Sequence, residues 1–124
     1  MRLREERIRR YMEAWQNADE EAAVSVLSAD VCITESYGPV YEGVSQVRQW
    51  FRSWCGVGQV LGWDALRFWH HGDETIVKWH FRCSYQGVES SLNGLSLIRF
   101  APGGQIAAME EYQAKTELCK PYAT

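Results

Sequence analysis

Apolar side chains recur at helical spacing in the first half of the chain and at alternating spacing in the second. Leu3, Ile8, Tyr11, Met12 and Trp15 return every three or four positions with Arg and Glu between them, which predicts a first helix. Asn17-Ala18-Asp19 breaks that pattern. Asp19 can cap a second helix whose apolar face is Ala22, Ala23, Val26 and Leu27. A short β run follows from Val31 to Thr34, then a turn at Gly38-Pro39. A third helix is expected after Gly43, with Ser45 as its N-cap and Val47, Trp50, Phe51 and Trp54 as its apolar face.

Gly56 and Gly58 end the helical half. Four β runs come next, near Val60–His70, Glu74–Tyr85, Ser90–Ala101 and Gln105–Thr116. Turns at His71-Gly72-Asp73, Gln86-Gly87 and Pro102-Gly103-Gly104 divide them, and turns this short join antiparallel neighbours. Three helices followed by a strand meander predict an α+β fold, with the helices packed on one face of a bent, mostly antiparallel sheet.

Strand parity sorts the side chains. Val77, Trp79, Phe81, Cys83 and Tyr85 share one face, and Lys78, His80, Arg82 and Ser84 the other. On the next run Leu92, Gly94, Ser96, Ile98 and Phe100 alternate with Asn93, Leu95, Leu97 and Arg99. Both of those sets hold large apolar residues, so both faces are expected to be covered, the outer one by a second copy of the chain. On the last run Met109, Glu111 and Gln113 share a side.

The composition narrows the reading. A chain of 124 residues is one domain, spanning 1–124, long enough to bury a core without staples. Six Trp exceed what so small a core needs and point to an aromatic-lined pocket. A net charge of -3 with no basic stripe excludes nucleic acid as a partner. Met1 to Arg7 is charged with no apolar run behind it, and no stretch is long enough to span a bilayer. The expectation is a cytoplasmic protein with no membrane partner. Cys32, Cys55, Cys83 and Cys119 lack metal or redox spacing and read as reduced and structural.

The order helix–helix–strand–helix–meander resembles the nuclear transport factor 2-like superfamily. So do the segments Tyr11-Met12-Glu13-Ala14-Trp15, Gly94-Leu95-Ser96-Leu97-Ile98-Arg99-Phe100 and Gly104-Gln105-Ile106. Its SnoaL-like and ketosteroid-isomerase-like branch is the nearest. The resemblance covers about the whole chain. It implies a cone-shaped α+β barrel whose open end admits a small apolar molecule, and a homodimer through the outer sheet face. Laid against ketosteroid isomerase, Tyr11 falls on the tyrosine that donates to the developing enolate oxygen. Glu35 falls on the carboxylate that moves the proton, and Asp30 on the acidic residue that opens the strand. Ser96 stands where that enzyme keeps a protonated aspartate, and a hydroxyl is a weaker donor than a carboxylic acid. The superfamily's dehydratases use pocket histidines and its epoxide hydrolases an Asp-Arg-Asp set. Neither is expected on the inner faces here.

The residues carry their own argument. Glu35 shares parity with Val31 and Ile33, and a carboxylate among Trp and Phe has its charged form disfavoured, which suits a general base. Tyr11 can serve as a hydroxyl donor. The alternative is a solvated Glu35 at a strand end and a Tyr11 that is plain core. Glu111 either brings a second carboxyl to the pocket or pairs with an Arg near its mouth. Trp15, Trp50, Phe51, Trp54, Trp79 and Phe81 are either lining or core, and we expect all of them to contribute to the lining. Cys83, Tyr85, Ser96, Met109, Glu111 and Gln113 join them by parity. His70 and His71 sit at a turn and His80 faces outward, so no metal and no cofactor is expected. Two functions follow. One is isomerase- or cyclase-type proton transfer on a small apolar substrate, with Glu35 as base and Tyr11 as donor. The other is a non-catalytic ligand-binding or dimeric assembly module on the same fold.

Overall fold

The computed structural model describes residues 1–114 and 117–122. Three helices, α1 (Arg2–Gln16), α2 (Glu20–Val24) and α3 (Gly43–Cys55), accompany six strands: β1 (Leu27–Thr34), β2 (Val40–Glu42), β3 (Gly58–His71), β4 (Glu74–Tyr85), β5 (Val88–Phe100) and β6 (Ile106–Ala114). The strands form one open sheet in the order β2-β1-β6-β5-β4-β3. The β1–β6 pair is parallel and every other pair is antiparallel, so the sheet is mixed. Its two edge strands are β2 and β3, and the sheet does not close.

Each helix forms for a local reason. Ile8, Tyr11, Met12 and Trp15 are buried along one stripe of α1, whereas Leu3 lies off it and is 56% exposed. Asp19 caps α2 by accepting from the Ala22 amide at 3.1 Å. That helix stops at Val24, so Val26 enters the core from the turn before β1 and Leu27 as the first residue of β1, neither on a helix face. The start of α3 differs from the sequence expectation. Its N-cap is Glu42, and Ser45 lies inside the helix; the Gln46 side chain accepts from the Glu42 amide at 2.8 Å and takes over the capping role. The strand β2 was not anticipated, because three residues are too few to show alternation.

The register sets the faces. Val77, Trp79, Phe81 and Cys83 on β4 stand opposite Ser96, Gly94, Leu92 and Ser90 on β5, all on the helix-facing side. Ser96, Ile98 and Gly94 stand in turn opposite Glu111, Met109 and Gln113 on β6. Irregularities between Val60 and Gly62 and between Ala65 and Arg67 bend β3, which lets one long hairpin curve around the helices. Lys115 and Thr116, expected to end the last strand, lie outside the described residues.

Polar ties hold the helices in place. Arg7 on α1 donates to the Gly104 carbonyl at 2.6 Å and Arg4 to the Gly72 carbonyl at 2.7 Å. Arg48 and Arg52 on α3 grip Glu20 and Glu21 on α2 at 2.6–2.9 Å in the closest contacts. The hydrogen bonds from Arg52 and Arg48 hold the Glu20 carboxyl below its ordinary range. Of the four cysteines, Cys119 is exposed and takes no part in the core.

Gly94 is the tightest point of the sheet. A Cβ there would meet the Tyr112 carbonyl and lie 2.6 Å from Cη2 of Trp79. Replacing Gly94 with Ala is therefore expected to lower stability by about 3 kcal/mol through overpacking. The fall would be read from the urea midpoint, and an unchanged midpoint would refute the close approach.

Candidate functional site

The concave face of the sheet and α1 and α3 enclose a cavity of about 380 Å³. Its position follows from the fold: β3, β4 and β5 supply one wall, α1 and α3 another, and the β1–β2 turn and the end of β6 form the rim. Trp15, Trp50 and Trp54 reach it from the helices, and Trp79, Phe81, Cys83 and Tyr85 from β4. Glu111 and Gln113 reach it from β6, and Glu35 from the residue after β1.

Four expected residues stand elsewhere. Phe51 is buried against Trp15, with ring centroids 4.2 Å apart, and backs the wall without lining it. Met109 and Ser96 are buried beneath the cavity floor. Tyr11 is 1% exposed and packs edge-on against Trp63 at 6.0 Å, behind the lining. Helical periodicity gives a buried stripe but not the depth of each residue within it. Conversely, Ser36, Tyr37, Val60, Trp63, Ser90 and Leu92 also line the cavity. Parity carried from Phe81 across the hairpins points to Leu92 and Ser90. Trp63 depended on the bulges of β3, which no alternation pattern shows.

The two carboxyls of the cavity are held differently. Glu35 is fixed by its backbone: its amide donates to the Pro39 carbonyl at 2.9 Å and its carbonyl accepts from the Gly38 amide at 3.0 Å. Its Oε1 accepts from Tyr41 Oη at 2.5 Å and from Tyr37 Oη at 3.2 Å. Burial, then the Glu35 hydrogen bond and charge, hold the Tyr41 hydroxyl far above its ordinary range, so it remains a donor. Glu35 thus spends one oxygen on tyrosines and keeps Oε2 for another partner.

Glu111 sits deeper. Burial first, and then the charge of Glu35, push its pKa up to about 8, while a hydrogen bond from Ser96 opposes the shift. Ser96 itself accepts from Trp79 Nε1 at 2.9 Å. Ser96 therefore accepts from Trp79 on one side and stands directly opposite Glu111 on the other. Among the described residues no arginine pairs with Glu111. The Tyr11 hydroxyl is raised well above its usual range by burial, then by Glu111, with Glu35 a smaller cause. The Trp15 indole N–H lies close enough to favour the Tyr11 phenolate, yet without hydrogen-bond geometry. Nε1 of Trp15 and Nε1 of Trp63 are the buried side-chain nitrogens left without a partner among the described residues.

The histidines serve structure. His70 bridges Glu5 Oε2 at 2.7 Å and Thr75 Oγ1 at 2.9 Å, and His80 bonds Asn93 at 2.7 Å on the outer face.

The comparisons agree with this geometry. The family model of the SnoaL-like domain matches residues 8–109. No curated protein sequence matches the chain. Among solved structures, a Catenulispora acidiphila protein with a ketosteroid isomerase-like fold, in complex with trimethylamine, superposes with a TM-score of 0.77 at 17% identity. It covers 86% of this chain and 84% of that one. An LEH-like epoxide hydrolase of M. tuberculosis reaches 0.80 at 12% identity over 90% and 83% of the two chains. A Xanthomonas campestris protein proposed to be a polyketide cyclase reaches 0.74 at 17% identity over 90% of each. At these identities the likeness is one of fold.

The raised Glu111 carboxyl makes stability depend on pH. Its ordinary value is 4.5 and its folded value about 8, so between those limits the folded chain keeps a proton that the unfolded chain releases. Stability is full below the lower limit and falls as pH rises through the window. Compared with Glu111→Gln, the natural chain should lose on the order of 2–4 kcal/mol across that window. Urea titrations of both at several pH values measure the difference, and parallel curves would contradict it.

Proposed function

The chain belongs to the SnoaL-like domain family, within the nuclear transport factor 2-like superfamily, and we propose that it catalyses proton transfer on a small, largely apolar molecule held in its cone. One observation carries the reading: two carboxyls share the cavity in opposite roles. Glu35 is the charged partner whose field raises Glu111, and Glu111 with a value near 8 keeps its proton at neutral pH. A carboxyl that keeps its proton beside a second carboxyl gives a site an acid within reach of a base.

In this reading Glu35 takes a proton from carbon through Oε2, while the tyrosines on Oε1 keep the carboxylate aimed. Negative charge then develops on a substrate oxygen, the Glu111 carboxylic acid donates a hydrogen bond to it, and the protonated Glu35 returns the proton to a second carbon as the C=O bond re-forms. The acid absent at Ser96 is thereby supplied from the neighbouring strand, directly opposite in register. Tyr11, expected as the donor, takes a supporting place: its hydroxyl lies in the field of both carboxyls but behind the cavity wall. A protein of the same fold is found in complex with a small amine, which supports a cone open to compounds of this size.

Small β,γ-unsaturated cyclic ketones serve as test substrates, followed by absorbance of the conjugated product. Glu35→Gln should lower turnover at least ~100-fold. Turnover should also fall as pH rises past about 8, where Glu111 ionises and ceases to donate. Turnover unchanged in Glu35→Gln would refute Glu35 as the base.

We also infer a homodimer through the outer sheet face. Trp69, Ile76 and Leu97 form a row across β3, β4 and β5, and Leu95 stands opposite Tyr112 beside it. Trp69 and Tyr112 are exposed in the single chain, and a second copy would cover them. Sedimentation should show a dimer at micromolar concentration, and a clean monomer would contradict it.

A further inference from the structure

The cavity wall has an unusual charge and ring content. Among the described residues that line it, eight are aromatic, two are glutamates, and none is Lys, Arg or His. For binding alone, a purely apolar ligand calls for Leu and Ile as readily as for Trp, and it gains no affinity from a carboxylate with no cationic partner among the described residues. An anionic ligand would be repelled by Glu35 and would find no described cation in the wall. Rings together with a carboxylate that no described cation neutralises suit the binding of an organic cation.

We propose that the cavity takes a methylated organic ammonium compound, with the cation seated among the indole rings beside Glu35. The proposal shares the cavity and Glu35 with the proton-transfer reading and adds the chemical class of the molecule bound.

The ring geometry supports it. An alkylammonium binds the faces of aromatic rings, because their quadrupoles place negative potential there. Stacking two rings face to face would consume those faces. The lining rings instead meet tilted or edge-on: Trp15 and Trp50 at 55°, Trp15 and Trp54 at 86°, Trp54 and Tyr85 at 39°. Trp63 meets both Trp79 and Phe81 at 87°. The one stacked pair involving the wall, Tyr41 on Trp50 at 4.3 Å and 10°, lies partly outside it, since Tyr41 does not line the cavity.

Tyr41 has a second task. Its hydroxyl is the 2.5 Å donor to Glu35, so one tyrosine fixes the carboxylate next to Trp50. Charge and ring face are joined in one rigid unit before any ligand arrives, which is the preorganisation that a cation site needs. A volume of about 380 Å³ holds a trimethylammonium head with a short tail.

Choline and 3,3-dimethylbutan-1-ol separate charge from shape, because they differ chiefly by nitrogen for carbon at the branched centre. Both are titrated into the full chain at neutral pH, by calorimetry and by tryptophan fluorescence. Choline should bind at least ~10-fold more tightly than the alcohol. That preference should vanish in Glu35→Gln and shrink in Trp50→Leu, with unfolding midpoints checking that each variant folds. Equal binding of the two by the natural chain, or a choline preference that survives in both folded variants, would overturn the proposal. No turnover enters this measurement. Ketone isomerisation without choline preference defeats the cation assignment alone, and choline preference without isomerisation defeats the proton-transfer reading alone.

Discussion

The indole of Trp79, lying across the neighbouring strand, is the contact on which the rest of the molecule depends. It can lie there because β5 offers Gly94 directly opposite and Ser96 two residues further on. The absent side chain gives the ring its space, and the serine satisfies its N–H at 2.9 Å. An indole buried without that acceptor would leave a donor unpaired in the core, at a cost of about 1–3 kcal/mol. Packing and polar satisfaction are therefore met by the same two small residues.

That contact reaches the chemistry through Ser96. With its oxygen accepting from Trp79, the serine stands directly opposite Glu111 on the next strand and opposes the rise of that carboxyl's pKa. One hydrogen bond is not enough to keep a carboxyl ionised against burial and a neighbouring anion, so Glu111 holds its proton. Glu35 is held differently. It sits nearer the rim, at a turn that fixes its backbone, and two tyrosine hydroxyls converge on a single oxygen. The difference between the two glutamates lies in depth and in the number of donors, since the side chains are the same.

The aromatic walls serve two ends. Trp15, packed between Phe51, Trp50 and Trp54, belongs to the core as much as to the cavity. The question of lining or core thus has no single answer for such a residue: one edge of the ring closes the interior and the other meets the void. Tilted packing makes this possible, because rings held at angles form a rigid frame while leaving faces uncovered.

Much of this was legible along the chain. The strand β4 carries the same bounds in the alternation pattern and in the fold, and the shared face of Trp79, Phe81, Cys83 and Tyr85 followed from period two, since consecutive Cβ atoms must point to opposite sides of a pleated strand. Asp19 as a cap and Glu35 on the inner side came from equally local rules. Other features belonged to the tertiary structure. The depth of Tyr11 depends on how far β3 curls over α1, and that curl comes from two bulges that leave no mark on the alternation. Tyr41 became the partner of Glu35 only because three residues pair as β2. The role of Glu111 was likewise undecided by its own strand. Its neighbours in sequence place it on the inner face, but its proton is held by burial, by Glu35 some 76 positions earlier and by Ser96 across the ladder. Sequence determined which faces the side chains share, because strand and helix geometry is local. Tertiary structure decided which charges meet, because electrostatic fields act through space between residues far apart in the chain.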